Sequence, residues 1–219
     1  MRKLLLTVAM AALMAASAFG QGKSDSLETV LNLLDRSSVG FKTLRANFEW
    51  DQYQKVVDEH ERDNGVMYFK RTGNNVDVGA DIQTRGHEKK MVLKDGDLQV
   101  LLRKTGQVTS YDTRKKRESF ESFLALGFGA RGHDLPRNFD LRYAGAETVV
   151  GVPTYKLELV PKSQQVRQMF PRITLWIDQK TGMSVQQKLD QGEGDYRLAQ
   201  YRNIEINAPL PGDAFNVKK

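Results

Sequence analysis

Two periodicities of hydrophobic and polar positions divide the chain. Apolar residues recur every three or four positions from Leu27 to Leu34, which predicts one amphipathic helix with Ser24 or Asp25 as its cap. From Ala46 onward, apolar and polar residues alternate one by one, the pattern of half-buried strands. About ten such segments follow with short turns between them, which predicts one large antiparallel sheet in meander order.

One segment in the middle of the chain departs from the strand pattern. Within residues 118–128, Phe120, Phe123, Leu124 and Phe128 fall on one helical face, which predicts a second short amphipathic helix. A sheet this wide curls, and its concave face has to be covered. Two helices cover little of such a sheet, so we expect an apolar cavity between the helices and the strands.

An arginine stands on the face that is predicted to point inward. Residues 58–65 are charged or turn-forming and predict a hairpin tip, after which alternation places Met67, Phe69 and Arg71 on one face. A guanidinium facing an apolar concavity needs acceptors, which backbone carbonyls at a helix end or a ligand's polar head would supply. Alternatively, Arg71 ends its strand and extends to water. The alternation is compatible with both interpretations.

The first residues have the pattern of an export signal. Arg2 and Lys3 precede an apolar run of about 13 residues, which is shorter than the ~20 residues of a membrane span. Small residues permit cleavage after Ala18, and a second site follows Gly20. We therefore predict a signal peptide over residues 1–18, one domain over residues 19–219, and a periplasmic location.

Composition argues against most catalytic chemistry. The chain has no cysteine and three histidines, which excludes thiolate nucleophiles, thiolate metal sites and disulfides. The 33 basic and 27 acidic residues give a net charge of +6, a surplus too small to indicate a nucleic-acid partner. The basic run at residues 114–117 is either a solvated turn or a contact for an anionic membrane surface or an acidic partner. These features favour a protein that is not an enzyme.

Two motifs resemble binding sites but lack the necessary context. Residues 127–132 match G-x-G-x-x-G, yet they follow a predicted helix instead of a strand, so we interpret them as a helix stop and a hinge. His60, His87 and His133 are far apart in charged or glycine-rich turns, where solvated side chains are expected. We therefore predict no cofactor and no metal.

Seven segments, taken in order, resemble the LolA family of periplasmic carriers of outer-membrane lipoproteins. They are residues 44–48 (LRANF), 65–71 (GVMYFKR), 94–98 (KDGDL), 157–161 (LELVP), 173–178 (ITLWID), 201–204 (YRNI) and Phe215. Their order and spacing extend over nearly the whole chain after the signal. The resemblance implies a mainly β fold with an α lid, namely an unclosed antiparallel β-barrel covered by short helices around an apolar cavity.

The resemblance also implies a function. A LolA-like carrier is a monomer that receives acylated lipoproteins from an inner-membrane ABC transporter, holds their acyl chains in the cavity and delivers them to an outer-membrane acceptor. A carrier for another lipid or a glycolipid is the alternative. An enzyme acting on envelope material would need converging acid and base residues, and the inward-facing positions offer no such pair.

The resemblance places the family's lid-latching arginine at Arg71. Inward-facing apolar positions supply the expected acyl-chain site. They are Leu31, Leu34, Phe48, Trp50, Met67, Phe69, Val76, Val78, Phe120, Phe123, Leu124, Phe128, Leu175 and Ile177.

Overall fold

The computed structural model describes residues 26–73, 75–84, 86–113 and 126–217. Helix α1 spans Leu27–Ser38, a 3₁₀ helix spans Gly132–Arg137, and a short helix α2 spans Gln164–Met169. The strands are β1 (Thr43–Gln54), β2 (Glu59–Thr72), β3 (Asn75–Gln83), β4 (Lys89–Lys94), β5 (Asp97–Leu102), β6 (Gln107–Asp112), β7 (Phe139–Val149), β8 (Val152–Pro161), β9 (Arg172–Asp178), β10 (Ser184–Gly192) and β11 (Asp195–Ile206).

These strands form a single antiparallel sheet. Its order is β6-β5-β4-β3-β2-β1-β11-β10-β9-β8-β7, so each strand pairs with its sequence neighbour except where β1 meets β11. Tight turns produce this meander: Asp95 and Gly96 both have positive φ, at 52° and 76°, as a two-residue hairpin turn requires. Strands β6 and β7 are the two edges and do not pair with each other. The predicted unclosed antiparallel barrel is therefore confirmed.

The N-cap of helix α1 lies one or two residues after the predicted caps. Ser26 is its cap, because the Ser26 hydroxyl accepts the Thr29 backbone N–H at 3.3 Å. The helix buries Val30, Leu33 and Leu34 in a core cluster with side chains of β7, β8 and β9. No helix among the described ranges combines the length and apolarity needed to cross a bilayer.

The second predicted helix falls mostly outside the described residues. Residues 118–125 are not described, and residues 126–129 form a turn. That turn contributes Leu126 to the core cluster under α1 and Phe128 to a second cluster on β1–β3. The turn therefore packs against two parts of the sheet, β1–β3 and β7–β9.

Candidate functional site

An apolar cavity of about 480 Å³ lies against the concave face of the sheet. Strands β1–β5, β10 and β11 form its wall, and α2 and the turn at residues 126–129 border it. This volume is within the range of about 300–1,000 Å³ that is typical of sites for small molecules. The lining residues are Trp50, Met67, Phe69, Val78, Ala80, Met91, Leu93, Leu98, Phe128, Ser163, Gln165, Val166, Met169, Phe170, Gln187, Leu189, Arg197, Ala199 and Tyr201.

Strand register brings the apolar side chains of the wall together. Phe69 of β2 lies opposite Val78 of β3, and Val78 lies opposite Leu93 of β4. One step along the strands, Met67 lies opposite Ala80. Because paired residues in an antiparallel sheet point to the same face, alternation within each strand produces a continuous apolar wall across three strands.

The structure separates the sequence-predicted site residues into three groups. Five line the cavity: Trp50, Met67, Phe69, Val78 and Phe128. Six are buried without lining the cavity: Phe48 and Val76 in the core cluster on β1–β3, Leu34, Leu175 and Ile177 in the core under α1, and Leu31 on α1 itself. Phe120, Phe123 and Leu124 lie outside the described residues. A role in acyl-chain binding stays a prediction for all fourteen.

The alternation of apolar and polar residues identified which side chains point to the concave face, but it did not show which part of that face α1 covers. Leu175 and Ile177 do point to that face, but the apolar stripe of α1 covers them. Side chains of α1 therefore fill this part of the concavity.

Helix α2 was not predicted, although its sequence carries a signal. Val166, Met169 and Phe170 have helical spacing, and Ser163 stands at the N-cap position. All four residues border the cavity, yet no residue of α2 is buried and Met169 is 53% exposed. Helix α2 is thus a thin cover with few contacts to the sheet.

A chain of hydrogen bonds joins the wall of the cavity to the turn. The Tyr201 hydroxyl receives a hydrogen bond from Trp50 and donates one to Gln187 Oε1 at 3.3 Å. The Gln187 amide in turn donates to the Leu126 carbonyl at 2.7 Å. Burial raises the pKa of Tyr201 well above its usual value, so the phenol stays neutral. These polar groups satisfy one another, which leaves this part of the wall without an ionised group.

Arg71 holds the same turn from the other side. Its guanidinium donates to the Gly129 carbonyl and lies 5.7 Å from the centre of the Phe41 ring. Burial lowers the pKa of Arg71. Of the two interpretations of this residue, the structure supports the first, because a backbone carbonyl supplies its acceptor. Its role as a lid latch stays a prediction.

The glycines of the G-x-G-x-x-G motif permit close packing. Gly129 has φ +70°, and a Cβ there would lie 2.4 Å from Cδ1 of Phe41. A Cβ on Gly132 would lie 2.2 Å from the Leu31 carbonyl oxygen. The glycines therefore allow this segment to pack closely against Phe41 and α1.

The histidines do not come together. His133 contacts Asp35 and Glu28 of α1, with Nε2 3.3 Å from a Glu28 oxygen, and His60 contacts Asp51 at 2.9 Å. Within the described part of the chain, no group of three or more acidic or histidine side chains is placed to hold a metal ion.

Comparison with known proteins gives similarity at the level of structure. No family model and no curated protein sequence matches the chain. The structure is similar to a chain of the MucA/MucB complex of Pseudomonas aeruginosa (TM-score 0.53, 16% identity) over 88% of this chain and 60% of that one. It is also similar to lipoprotein LppX of Mycobacterium tuberculosis (TM-score 0.52, 13% identity), covering 84% of this chain and 97% of LppX.

A third similar structure is an uncharacterized conserved protein of Thermus thermophilus. It has a TM-score of 0.53 and 12% identity, covering 87% of this chain and 97% of the other. Identities this low show the fold alone. These similarities agree with the predicted fold, an unclosed antiparallel β-barrel with short helices against its concave face.

Proposed function

We propose that this chain is a periplasmic carrier that binds the acyl chains of lipoproteins in its cavity and moves them from the inner to the outer membrane. The observation that carries the proposal is the apolar cavity of about 480 Å³ on the concave face. Burying a methylene is worth about 0.8 kcal/mol, so exposing a C16 chain to water costs on the order of 12 kcal/mol. An apolar cavity removes most of that cost during transfer.

A carrier must also release its cargo, and helix α2 is the cover of this cavity that suits release. Helix α2 has no buried residue, so displacing it exposes little apolar surface. The turn at residues 126–129 is held more firmly, by hydrogen bonds from Arg71 and Gln187 and by the buried side chains of Leu126 and Phe128, so α2 is the cover expected to open first. Local opening costs least where buried apolar contacts are few.

The proposal extends to the route of the cargo. The signal peptide over residues 1–18 would place the mature chain, residues 19–219, in the periplasm. There the LolA resemblance supports an inner-membrane ABC transporter as the donor of acylated lipoproteins and an outer-membrane acceptor as their destination.

A carrier for another lipid or a glycolipid is the second candidate. It is favoured by one observation, the charged guanidinium of Arg197 in a mostly apolar lining. Native mass spectrometry of the chain recovered from the periplasm of its host separates the two candidates. A bound triacylated lipoprotein supports the first, and a bound phospholipid or glycolipid supports the second.

A loading assay tests acyl-chain binding directly. A triacylated lipopeptide is mixed with the purified mature chain, and the amount that elutes with the protein is compared with that of the same peptide without acyl chains. Val78→Trp fills the cavity wall, whereas Val108→Trp adds the same bulk at an exposed position on the edge strand β6.

We expect only the acylated peptide to elute with the protein. Val78→Trp should reduce the amount bound several-fold, and Val108→Trp should leave it unchanged. Equal elution of both peptides, or an equal effect of both tryptophans, would show that the cavity is not the acyl-chain site.

A further inference from the structure

Arg197 gives the cavity a single charged group. It lines the cavity from β11, where Gln52 of β1 and Leu189 of β10 are its partners in the two strand pairings. Its Nη2 donates to the Gln52 side-chain oxygen at 2.8 Å. Of the residues given above as lining the cavity, no other is charged.

Several basic side chains on the outer face of the sheet are paired with carboxylates, and Arg197 differs from them in this respect. There, Arg172 and Lys188 contact Asp190 at 2.8 and 3.0 Å, and Arg142 contacts Glu158 at 2.5 Å. Among residues 26–73, 75–84, 86–113 and 126–217, no carboxylate forms an ion pair with Arg197. One neutral acceptor leaves most of the five guanidinium N–H donors available.

Along β11, Arg197 precedes an apolar stretch of the cavity wall, so a ligand chain on that stretch would have its headgroup near the guanidinium. Ala199 and Tyr201 follow it on the same face of β11 and line the cavity further from the β10–β11 turn. Trp50, opposite Ala199, continues this apolar surface. An amphiphile with its chain against these residues would therefore bring its polar end to Arg197.

We propose that Arg197 binds the anionic headgroup, carboxylate or phosphate, of an amphiphile whose acyl chain occupies the cavity. The planar guanidinium matches both anions with two parallel hydrogen bonds. Charge-assisted hydrogen bonds are about twice as strong as neutral ones, so an acid is preferred over its neutral ester. This inference rests on the acyl-chain binding proposed above, and it names the headgroup for the second candidate, a lipid other than a lipoprotein.

Three probes with the same C16 chain test the headgroup: palmitate, hexadecyl phosphate and methyl palmitate. Their dissociation constants are measured at pH 8 and low salt, below the concentration at which they aggregate, by displacement of a fluorescent fatty-acid analogue. The variants are Arg197→Gln, Arg197→Lys and, as a matched control on the outer face, Arg142→Gln. Thermal unfolding of each variant verifies that it is folded.

We expect the wild type and Arg142→Gln to bind at least one acid about tenfold more tightly than methyl palmitate. Arg197→Gln should remove that preference while methyl palmitate binds as before, and Arg197→Lys should retain part of it. The ratio of the two acids assigns the headgroup as carboxylate or phosphate.

Two other results contradict the inference in different ways. Equal affinity of the wild type for all three probes, or a preference that survives in Arg197→Gln, overturns the headgroup site and leaves acyl-chain binding intact. Failure of every probe to bind the folded wild type contradicts the proposed function together with this inference.

Discussion

The two halves of the sheet share one curved surface but use it differently. On β7, β8 and β9, α1 fills the concavity, and Val30 of the helix and Leu157 of β8 are both 0% exposed. On β1–β5, β10 and β11, the same surface borders a cavity, and wall residues such as Trp50 and Met91 are only partly buried. A short amphipathic helix thus divides one sheet into a packed half and a half that borders a cavity.

Alanine substitution of a leucine in each half is the strongest test of this division. Leu157→Ala in the packed half removes side-chain atoms from a filled core, so we expect the free energy of unfolding to fall by about 2–5 kcal/mol. Leu98→Ala in the cavity wall removes atoms that border open space, so the expected loss is about 1 kcal/mol or less. Urea denaturation of both variants measures the difference.

The two leucines are matched in side chain and both lie in strands, which isolates the effect of packing. The larger loss of ligand binding should follow Leu98→Ala, because Leu98 lines the cavity and Leu157 does not. Equal losses of stability would show that both halves are packed alike, and the proposed division would fail.

Much of the fold could be predicted because it depends on local patterns. One-by-one alternation located the strands, and dipeptides such as Asp95-Gly96 located the turns between them. One boundary was wrong: residues 59–65 were assigned to a hairpin tip because they are polar, whereas they belong to β2. Backbone pairing extends the hairpin beyond the core, where polar side chains are tolerated because both faces are solvated.

The candidate site was predicted less completely because it depends on long-range packing. Alternation showed that Leu175 and Val78 both point inward, but not that α1 would cover one and leave the other beside the cavity. Arg197 was missed because an isolated arginine in a polar strand has the sequence pattern of a solvated residue. Its place in the lining follows from the pairing of β11 with β1 and β10, across 145 residues in the case of Gln52.

Arg71 connects the turn at residues 126–129 to the cavity half, and its removal should loosen the turn. Hydrogen bonds that involve a charged group contribute about 1.5–3 kcal/mol, so Arg71→Leu should raise the population of the opened turn about tenfold or more. Hydrogen–deuterium exchange of Leu126, Gly127 and Phe128 measures that opening. Lipopeptide loading and its transfer to acceptor vesicles should change with it.

Arg71→Lys is the matched control, since it keeps the charge but loses the planar guanidinium. It should give intermediate exchange, because an ammonium can reach the Gly129 carbonyl with less favourable geometry. Unchanged exchange, loading and transfer in Arg71→Leu would rule out the latch.

The smallest expected effect concerns the contact between α1 and the segment that follows the turn. His133 of the 3₁₀ helix lies between Asp35 and Glu28 of α1. The hydrogen bond with Asp35 raises the pKa of His133 more than partial desolvation lowers it. For Asp35, burial opposes ionisation, but hydrogen bonds from the His133 side chain and backbone outweigh it and lower the pKa.

These shifts fix the sign of the pH dependence. The stabilisation from His133 is complete below its unfolded-state pKa of about 6.5 and is lost as pH rises through the higher folded-state value. The stabilisation from Asp35 is complete above its unfolded-state pKa of about 3.9 and is lost as pH falls through the lower folded-state value.

The free energy of unfolding of the wild type should therefore decrease slightly from pH 6 to pH 8. His133→Gln should flatten this decrease, whereas His87→Gln, at an exposed position between β3 and β4, should preserve it. An identical pH profile for wild type and His133→Gln would mean that this contact does not help hold α1 against the 3₁₀ helix.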